Sequence, residues 1–370
     1  MELDGVYRLL QRHLDDQAVG FPAARSGADL RFLAALFTPD EARMALRLTY
    51  RPTPQDRVLA DAAPEFTAER ALSLLESAFR KGAIGWKPKD GAAHWHLMPL
   101  VIGIYEAQDG QPSRSFLEAA GAYMQTREYR RSFAAVKPPQ MRTIPIGLSV
   151  SAPHYVATYD DIRSLVGSSK GPLAVLSCIC REESRLEGKP CRMTSRTETC
   201  LAMGGMASSV LRRGHGREIT AGEALEILRR NEEDGLVLQP ANERQPEFVC
   251  SCCGCCCGML GFQKALPDPS EFWSSNHLAS VDATACTGCG ACLKRCQVNA
   301  ISLPEQGGSA VVDGKRCIGC GLCVPTCPAR AITLSRKAKE TVPPEDEEEL
   351  YDKVKANRGQ GIGDKMKPRR

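Results

Sequence analysis

The sequence predicts an α+β chain in three parts, and three observations carry that prediction. The first hundred residues alternate helix-start signals with apolar residues at helical spacing. Ten cysteines then gather between residues 178 and 257, where short apolar runs lead into thiols. Towards the C-terminal end one cysteine motif occurs twice, each copy followed by a short strand-like run. At 370 residues the chain is too long for one core, so two or three domains are expected.

Composition narrows the class. The chain is 43% hydrophobic and 25% charged, with a net charge of +4 and both signs mixed along it. That balance makes no electrostatic case for nucleic acid, so nucleic-acid binding is not expected. Only cysteine is out of line, at 18 copies. The start, Met1-Glu2-Leu3-Asp4, lacks the basic-then-apolar layout of an export signal. The longest apolar run, Leu97 to Tyr105, is too short to span a bilayer. A cytoplasmic location is expected, where thiols stay reduced and many cysteines mean metal rather than disulfides.

Residues 1–106 form the first expected domain. Thr38-Pro39-Asp40-Glu41 reads as a helix start, with Ala42, Ala45, Leu46 and Leu48 following at roughly helical spacing. Thr67-Ala68-Glu69-Arg70 starts a second helix through Leu72, Leu75, Ala78 and Phe79, stopped by Lys81-Gly82. Ile84-Gly85-Trp86, a turn at Lys89-Asp90-Gly91 and His94-Trp95-His96-Leu97 complete a hairpin, with both histidines expected to face solvent. Helix, helix, hairpin resembles a winged helix. The second helix carries Glu69, Arg70, Glu76, Arg80 and Lys81, a mixed face where a phosphate-tracking helix would be lopsidedly basic. Protein docking or a structural role is therefore expected.

Residues 107–153 read as a helix around Phe116 to Phe133 and a linker containing Pro138, Pro139, Pro145 and Pro153. Residues 154–276 read as a mixed α/β cysteine-rich middle domain. In it, the strand Pro172 to Ser177 runs into Cys178, Cys200 opens a helix, and Thr220 caps another. Phe248-Val249 is a second strand leading into C-S-C-C-G-C-C-C. Residues 277–336 hold the doubled motif. Residues 337–370 are polar and expected to be a mobile tail with one helix around Leu350 to Ala356.

The doubled motif is the sharpest signal. Cys286, Cys289, Cys292 and Cys296 follow C-x2-C-x2-C-x3-C, as do Cys317, Cys320, Cys323 and Cys327 before Pro328. Residues 278–335 thereby resemble the bacterial two-cluster ferredoxins, which implies a ferredoxin-like fold and two [4Fe-4S] clusters. In that family the fourth cysteine of each copy crosses to the other cluster. The resemblance implies one cluster on Cys286, Cys289, Cys292 and Cys327, and the other on Cys317, Cys320, Cys323 and Cys296. Gln297 stands where the first copy would more often carry proline. Four-thiolate zinc sites also use C-x2-C pairs, but they do not need three evenly spaced cysteines and a crossing fourth.

The other cysteines predict a further metal centre, a third [4Fe-4S] cluster with zinc as the alternative. Cys178 and Cys180 lie two apart at a strand end, as do Cys250 and Cys252, so pairing of the two strands would bring four thiols together. The expected ligands are Cys178, Cys180 and Cys200 with one or more of Cys250, Cys252 and Cys253; Cys191 is a further candidate in a loop beside Lys189 and Arg192. Inert buried thiols and a redox-active Cys252-Cys253 pair remain as duller readings. Arg181, Arg185, Lys189 and Arg192 are expected to form a basic rim for an acidic redox partner.

With the Cys178-Ile-Cys180-Arg181 segment and the cysteine run ahead of the doubled motif, the chain resembles multidomain ferredoxin-type proteins of anaerobic bacteria. The resemblance implies electron transfer between a redox donor and a partner oxidoreductase. The alternatives are a redox- or iron-sensing winged-helix regulator, and an iron–sulfur enzyme with substrate at the middle centre. No flavin or nucleotide loop is present, so a carrier is expected over a stand-alone catalyst.

Overall fold

The computed structural model describes residues 3–108, 110, 112–149, 157–266 and 268–359. It divides into two compact units: residues 1–138, 205–217 and 351–370 in the first, and residues 139–204 and 218–350 in the second. No helix among the described residues is long and apolar enough to cross a membrane.

The first unit opens on helices Leu3–Asp15, Ala28–Leu36 and Pro39–Ala45. Its core is aromatic: Phe21 and Tyr123 rings sit 4.3 Å apart, Phe32 and Phe116 5.7 Å, and Tyr129 stacks on Phe133 at 5.7 Å. The expected long helix over 116–133 is two helices, Arg114–Met124 and Arg127–Ala134, because Thr126 caps the second through the Tyr129 amide. A three-stranded antiparallel sheet follows: β1 (Thr53–Pro54), β2 (Gly85–Lys89) and β3 (Ala92–His96), in the order β1-β3-β2. Helices Gln55–Ala62 and Ala68–Arg80 lie between β1 and β2 in sequence. Asp90 and Gly91 take positive φ values of 52° and 75° and close the β2–β3 hairpin.

Two side chains in this unit depart from expectation. His94 and His96 are buried rather than solvent-facing; the His96 ring lies over Gly85, where a Cβ would stand 2.1 Å from Nε2. Arg212, from the segment 205–217, places its guanidinium 4.3 Å from the Trp86 ring centre and 5.5 Å from that of Trp95, and pairs with Glu76. These cation–π contacts tie that segment to the hairpin.

Thr38 caps the helix whose start the sequence announces, and Glu41 completes a capping box, its Oε2 accepting from the Thr38 amide at 2.7 Å. Glu41 is buried and also accepts from Lys81 and Ser77, both at 2.7 Å. Burial alone would raise its carboxyl; the Lys81, Ser77 and Thr38 donors win and hold it below the ordinary carboxylate value. A depressed folded pKa stabilises above the unfolded value and is lost as pH falls through the folded one. The Glu41→Gln variant is therefore expected to show a shallower loss of stability of the first unit between neutral pH and about pH 3. Chemical denaturation across that range reads the slope, and an unchanged slope would contradict the assignment.

The second unit is built on a five-stranded sheet: β4 (Leu173–Ser177), β5 (Glu198–Met203), β6 (Arg217–Ile219), β7 (Val237–Pro240) and β8 (Phe248–Cys252), in the order β6-β4-β5-β8-β7. β4–β5, β5–β8 and β7–β8 pair antiparallel. Helix Ala221–Glu233 packs on β4, β5 and β7 through a face that includes Ala224 and Leu228. Residues 139–149 return alongside the unit, the Ile146 amide donating to the Cys320 carbonyl at 3.0 Å. The doubled motif lies between β9 (His277–Val281) and β12 (Ile332–Arg336), which pair antiparallel, while β10 (Ile301–Ser302) pairs with β11 (Val311–Val312). Helix Glu347–Ala356 covers the one expected in the tail; residues 360–370 lie outside the described residues.

Candidate metal centres

The 18 cysteines fall into four groups, all in the second unit. In the first, Cys286, Cys289, Cys292 and Cys327 line one cavity with Gly288, Gly290 and Ala310. In the second, burial and then the charges of Cys323, Cys296 and Cys317 push the Cys320 thiol well above its ordinary value. The fold thus brings each fourth cysteine to the opposite copy. Amides aim at the sulfurs: Ala300 N–H donates to Cys296 Sγ at 3.2 Å and Ala331 N–H to Cys327 Sγ at 3.3 Å, four residues on in both copies. Ala310 N–H donates to Cys286 Sγ at 3.4 Å. Such donors stabilise thiolate over thiol and tune iron–sulfur potentials. Cys292 and Cys323 sit in a small core with Ala279, Ala310 and Ile332.

The third group is a closed ring of six thiols. Cys178 meets Cys180 and Cys200, Cys180 meets Cys257, Cys257 meets Cys252, Cys252 meets Cys250, and Cys250 meets Cys200. The sequence expectation is corrected in how the ring is built. β4 and β8 do not pair; β5 lies between them and carries Cys200 as a strand residue rather than a helix opener. Cys178 is the N-cap of helix Ile179–Leu186 and Cys180 lies in its first turn, so helix geometry rather than strand alternation aligns them. Cys257, which caps helix Gly258–Ala265, completes the ring. Its place at a helix start after a tight turn was the available signal.

Arg181 is the ring's cation, and this too corrects the sequence reading: it is 3% exposed, not part of a rim. Its Nη2 donates to the Ser251 carbonyl at 2.7 Å and its Nη1 to Thr199, while Nε–H has no hydrogen-bond partner among the described residues. Both acceptors are neutral. Burial works against its charge, but the neighbouring Cys178, Cys200, Cys253 and Cys252 sulfurs favour it and hold its pKa above the ordinary value. The thiols themselves are split. Cys200 accepts from Cys178 and Cys250 and is held well below the ordinary thiol value, while contact with the Cys178 and Cys257 sulfurs favours the protonated form of Cys180 and holds it well above. Protons alone cannot make this ring fully anionic; a bound metal can.

The fourth group is Cys191, Cys253, Cys255 and Cys256, whose sulfurs all lie within 4.8 Å of one another. Cys191 and Cys253 thus stand apart from the ring in which the sequence places them as candidates. The loop bearing Cys191 is pinned by Arg196, which bonds Asp234 at 2.7 Å and Asn231 at 2.9 Å. Burial opposes ionisation of Cys191, but the Met193 and Thr194 amides and the Cys253 and Cys255 thiols lower it to about 7. The run C-S-C-C-G-C-C-C is therefore shared: residues 250, 252 and 257 face the ring, and residues 253, 255 and 256 face the tetrad.

Gln297, the departure from proline, joins two of these groups. Its Oε1 accepts from the Gly254 amide at 2.7 Å, inside the tetrad's turn, one residue after Cys296. Lys264 takes the Gly254 carbonyl from the other side. A Cβ at residue 254 would stand 2.3 Å from the Gln297 carbonyl oxygen. The Gly254→Ala variant is expected to lose about 2 kcal/mol or more of stability in the second unit, in the range of overpacking. Urea denaturation of the anaerobic protein measures it, and a change under about 0.5 kcal/mol would contradict the stitch.

Residues 285–331 match the 4Fe-4S dicluster domain family. No curated protein matches the chain. The doubled motif and the cysteine tetrad make this an iron–sulfur, metal-binding redox protein.

Proposed function

We propose that this protein is a multi-cluster electron carrier, passing single electrons from a redox donor to a partner oxidoreductase. One observation supports the reading above others: the two copies of the motif fold into two four-thiol nests with exchanged fourth cysteines and amide donors on sulfur. Cys286, Cys289, Cys292 and Cys327 would hold one [4Fe-4S] cluster, and Cys317, Cys320, Cys323 and Cys296 the other. When bound, such clusters supply one-electron exchange with little rearrangement. What the chain's own residues contribute is position, burial and amide donors that set the potential.

A third iron–sulfur cluster belongs in the ring of Cys178, Cys180, Cys200, Cys250, Cys252 and Cys257. Its support is Arg181, a buried cation whose hydrogen bonds are to neutral groups and whose charge is favoured chiefly by the Cys178, Cys200, Cys253 and Cys252 sulfurs. Arg185, Lys189 and Arg192 remain exposed and suit an acidic partner. The first unit serves as a winged-helix-like docking module, its strand order β1-β3-β2 and the helices between β1 and β2 being the support. Its second helix does not suit DNA: Arg70 pairs with Asp40 and Lys81 with Glu41.

The test is an anaerobic redox titration of the full chain. Dithionite should bleach the visible iron–sulfur absorbance, and a one-electron acceptor should restore it fully over repeated cycles. Absorbance that bleaches irreversibly, or electrons that no acceptor can withdraw, would contradict a carrier.

A further inference from the structure

We infer that Cys191, Cys253, Cys255 and Cys256 hold a single zinc ion, apart from every iron–sulfur cluster in the chain. Sulfur spacing carries the inference. Cys191 Sγ lies 3.5 Å from Cys253 Sγ and 3.7 Å from Cys255 Sγ. Cys255 Sγ lies 3.5 Å from Cys253 Sγ and 3.7 Å from Cys256 Sγ. Four thiolates around one zinc, each bonded at ~2.3 Å, must stand ~3.8 Å apart along the tetrahedron's edges. The tetrad already has that size.

A cubane needs a wider set. Its four thiolates bind four different irons, so the iron–iron separation adds to two iron–sulfur bonds along every edge. Among the described residues, this tetrad is the group of metal-ligating side chains whose ligand atoms all fall within 4.8 Å. The two ferredoxin quartets do not contract to that size, and neither does the six-thiol ring. The same fold therefore presents two classes of thiol nest, wide and tight, and only the tight one matches a single ion.

The surroundings fit a closed structural site. Met193 N–H donates to Cys191 Sγ at 3.4 Å. Gly254, between two ligands, is held at both backbone groups, by Gln297 and Lys264. The four thiolates and one zinc would carry a net charge of −2, and Arg181 and Lys264 place positive charge beside them. All four ligands are cysteine, which leaves no open position for substrate. Zinc does not change oxidation state, so its work is mechanical: it fixes the turn that Gln297 ties to Cys296. The inference does not rest on the carrier reading, since it concerns cysteines that neither ferredoxin quartet nor the ring uses.

Anaerobically purified full-length protein tests it, by elemental analysis together with X-ray absorption at the zinc edge. About one zinc per chain with four sulfur neighbours at ~2.3 Å is expected. The Cys256→Ser variant should lose at least tenfold in zinc content while iron content and the reduced-state EPR signal stay unchanged. The inference is overturned if zinc is absent, if its neighbours include nitrogen or oxygen in place of sulfur, or if C256S lowers iron by about four per chain, as loss of a cubane would. Should C256S fail to fold, the absorption spectrum of the unaltered protein decides alone. Zinc present in a chain without iron clusters would sink the carrier reading and leave this one standing.

Discussion

Replacing Arg181 with leucine is expected to destabilise the second unit by about 3–5 kcal/mol, the cost of removing one partner from a buried charge assembly. Arg181 is almost wholly enclosed, and leucine would leave the Ser251 carbonyl without its 2.7 Å donor and the Thr199 hydroxyl oxygen without the guanidinium donor. The greater loss is electrostatic. Cys178, Cys200, Cys252 and Cys253 all lie close enough to favour the guanidinium charge, and without it the sulfurs face one another uncompensated. The iron of the cluster proposed for the ring should be lost or strongly depleted, with the iron of the doubled motif retained. Arg181→Lys should recover only part of the stability, because an ammonium keeps the charge but not the planar fork that reaches Thr199 and Ser251 together. Anaerobic urea denaturation and iron content read both effects. An R181L protein within about 0.5 kcal/mol of the original, with iron intact, would contradict the role assigned to Arg181.

The second large effect is expected for Gly319→Ala. Gly319 lies between Cys317 and Cys320 at φ +64°, a conformation costing alanine roughly 1–2 kcal/mol by itself. Space is the harder limit: a Cβ there would stand 2.2 Å from the His277 carbonyl oxygen and 2.5 Å from Ser275 Oγ. His277 opens β9, whose pairing with β12 runs from His277–Arg336 to Val281–Ile332, so the strand cannot yield without disturbing the sheet. The thiol loop must move instead, and the expected result is loss of about four irons per chain from the second quartet. Gly314→Ala serves as control, since a Cβ there meets nothing within 4 Å. Equal iron in the two variants would contradict the account.

How much of this was legible in the sequence depended on whether the signal was local. The helix start at Thr38, the hairpin at Asp90-Gly91 and the eight-cysteine repeat are written in neighbouring residues, and each has its counterpart in the structure. Gathering of the middle cysteines was legible; their partition was not. It depends on β5 entering between β4 and β8, a non-local pairing that periodicity cannot show. The same is true of Cys200, where β-sheet context overrides a helix-like run. Arg181 looked like a surface cation because composition cannot tell a guanidinium facing water from one facing buried sulfur. His96 misled for a similar reason, the missing side chain at Gly85 providing room that no alternation rule foresees.

Spin quantitation by EPR, on anaerobic full-length protein reduced with dithionite, tests the central claim most directly. Two nests of crossed cysteines close together in one small domain should give about two half-spins per chain from the doubled motif, with lines broadened by their mutual coupling. The third cluster would add to that number. A protein that is EPR-silent on reduction, free of labile sulfide and filled with zinc at Cys286 to Cys327, would contradict it.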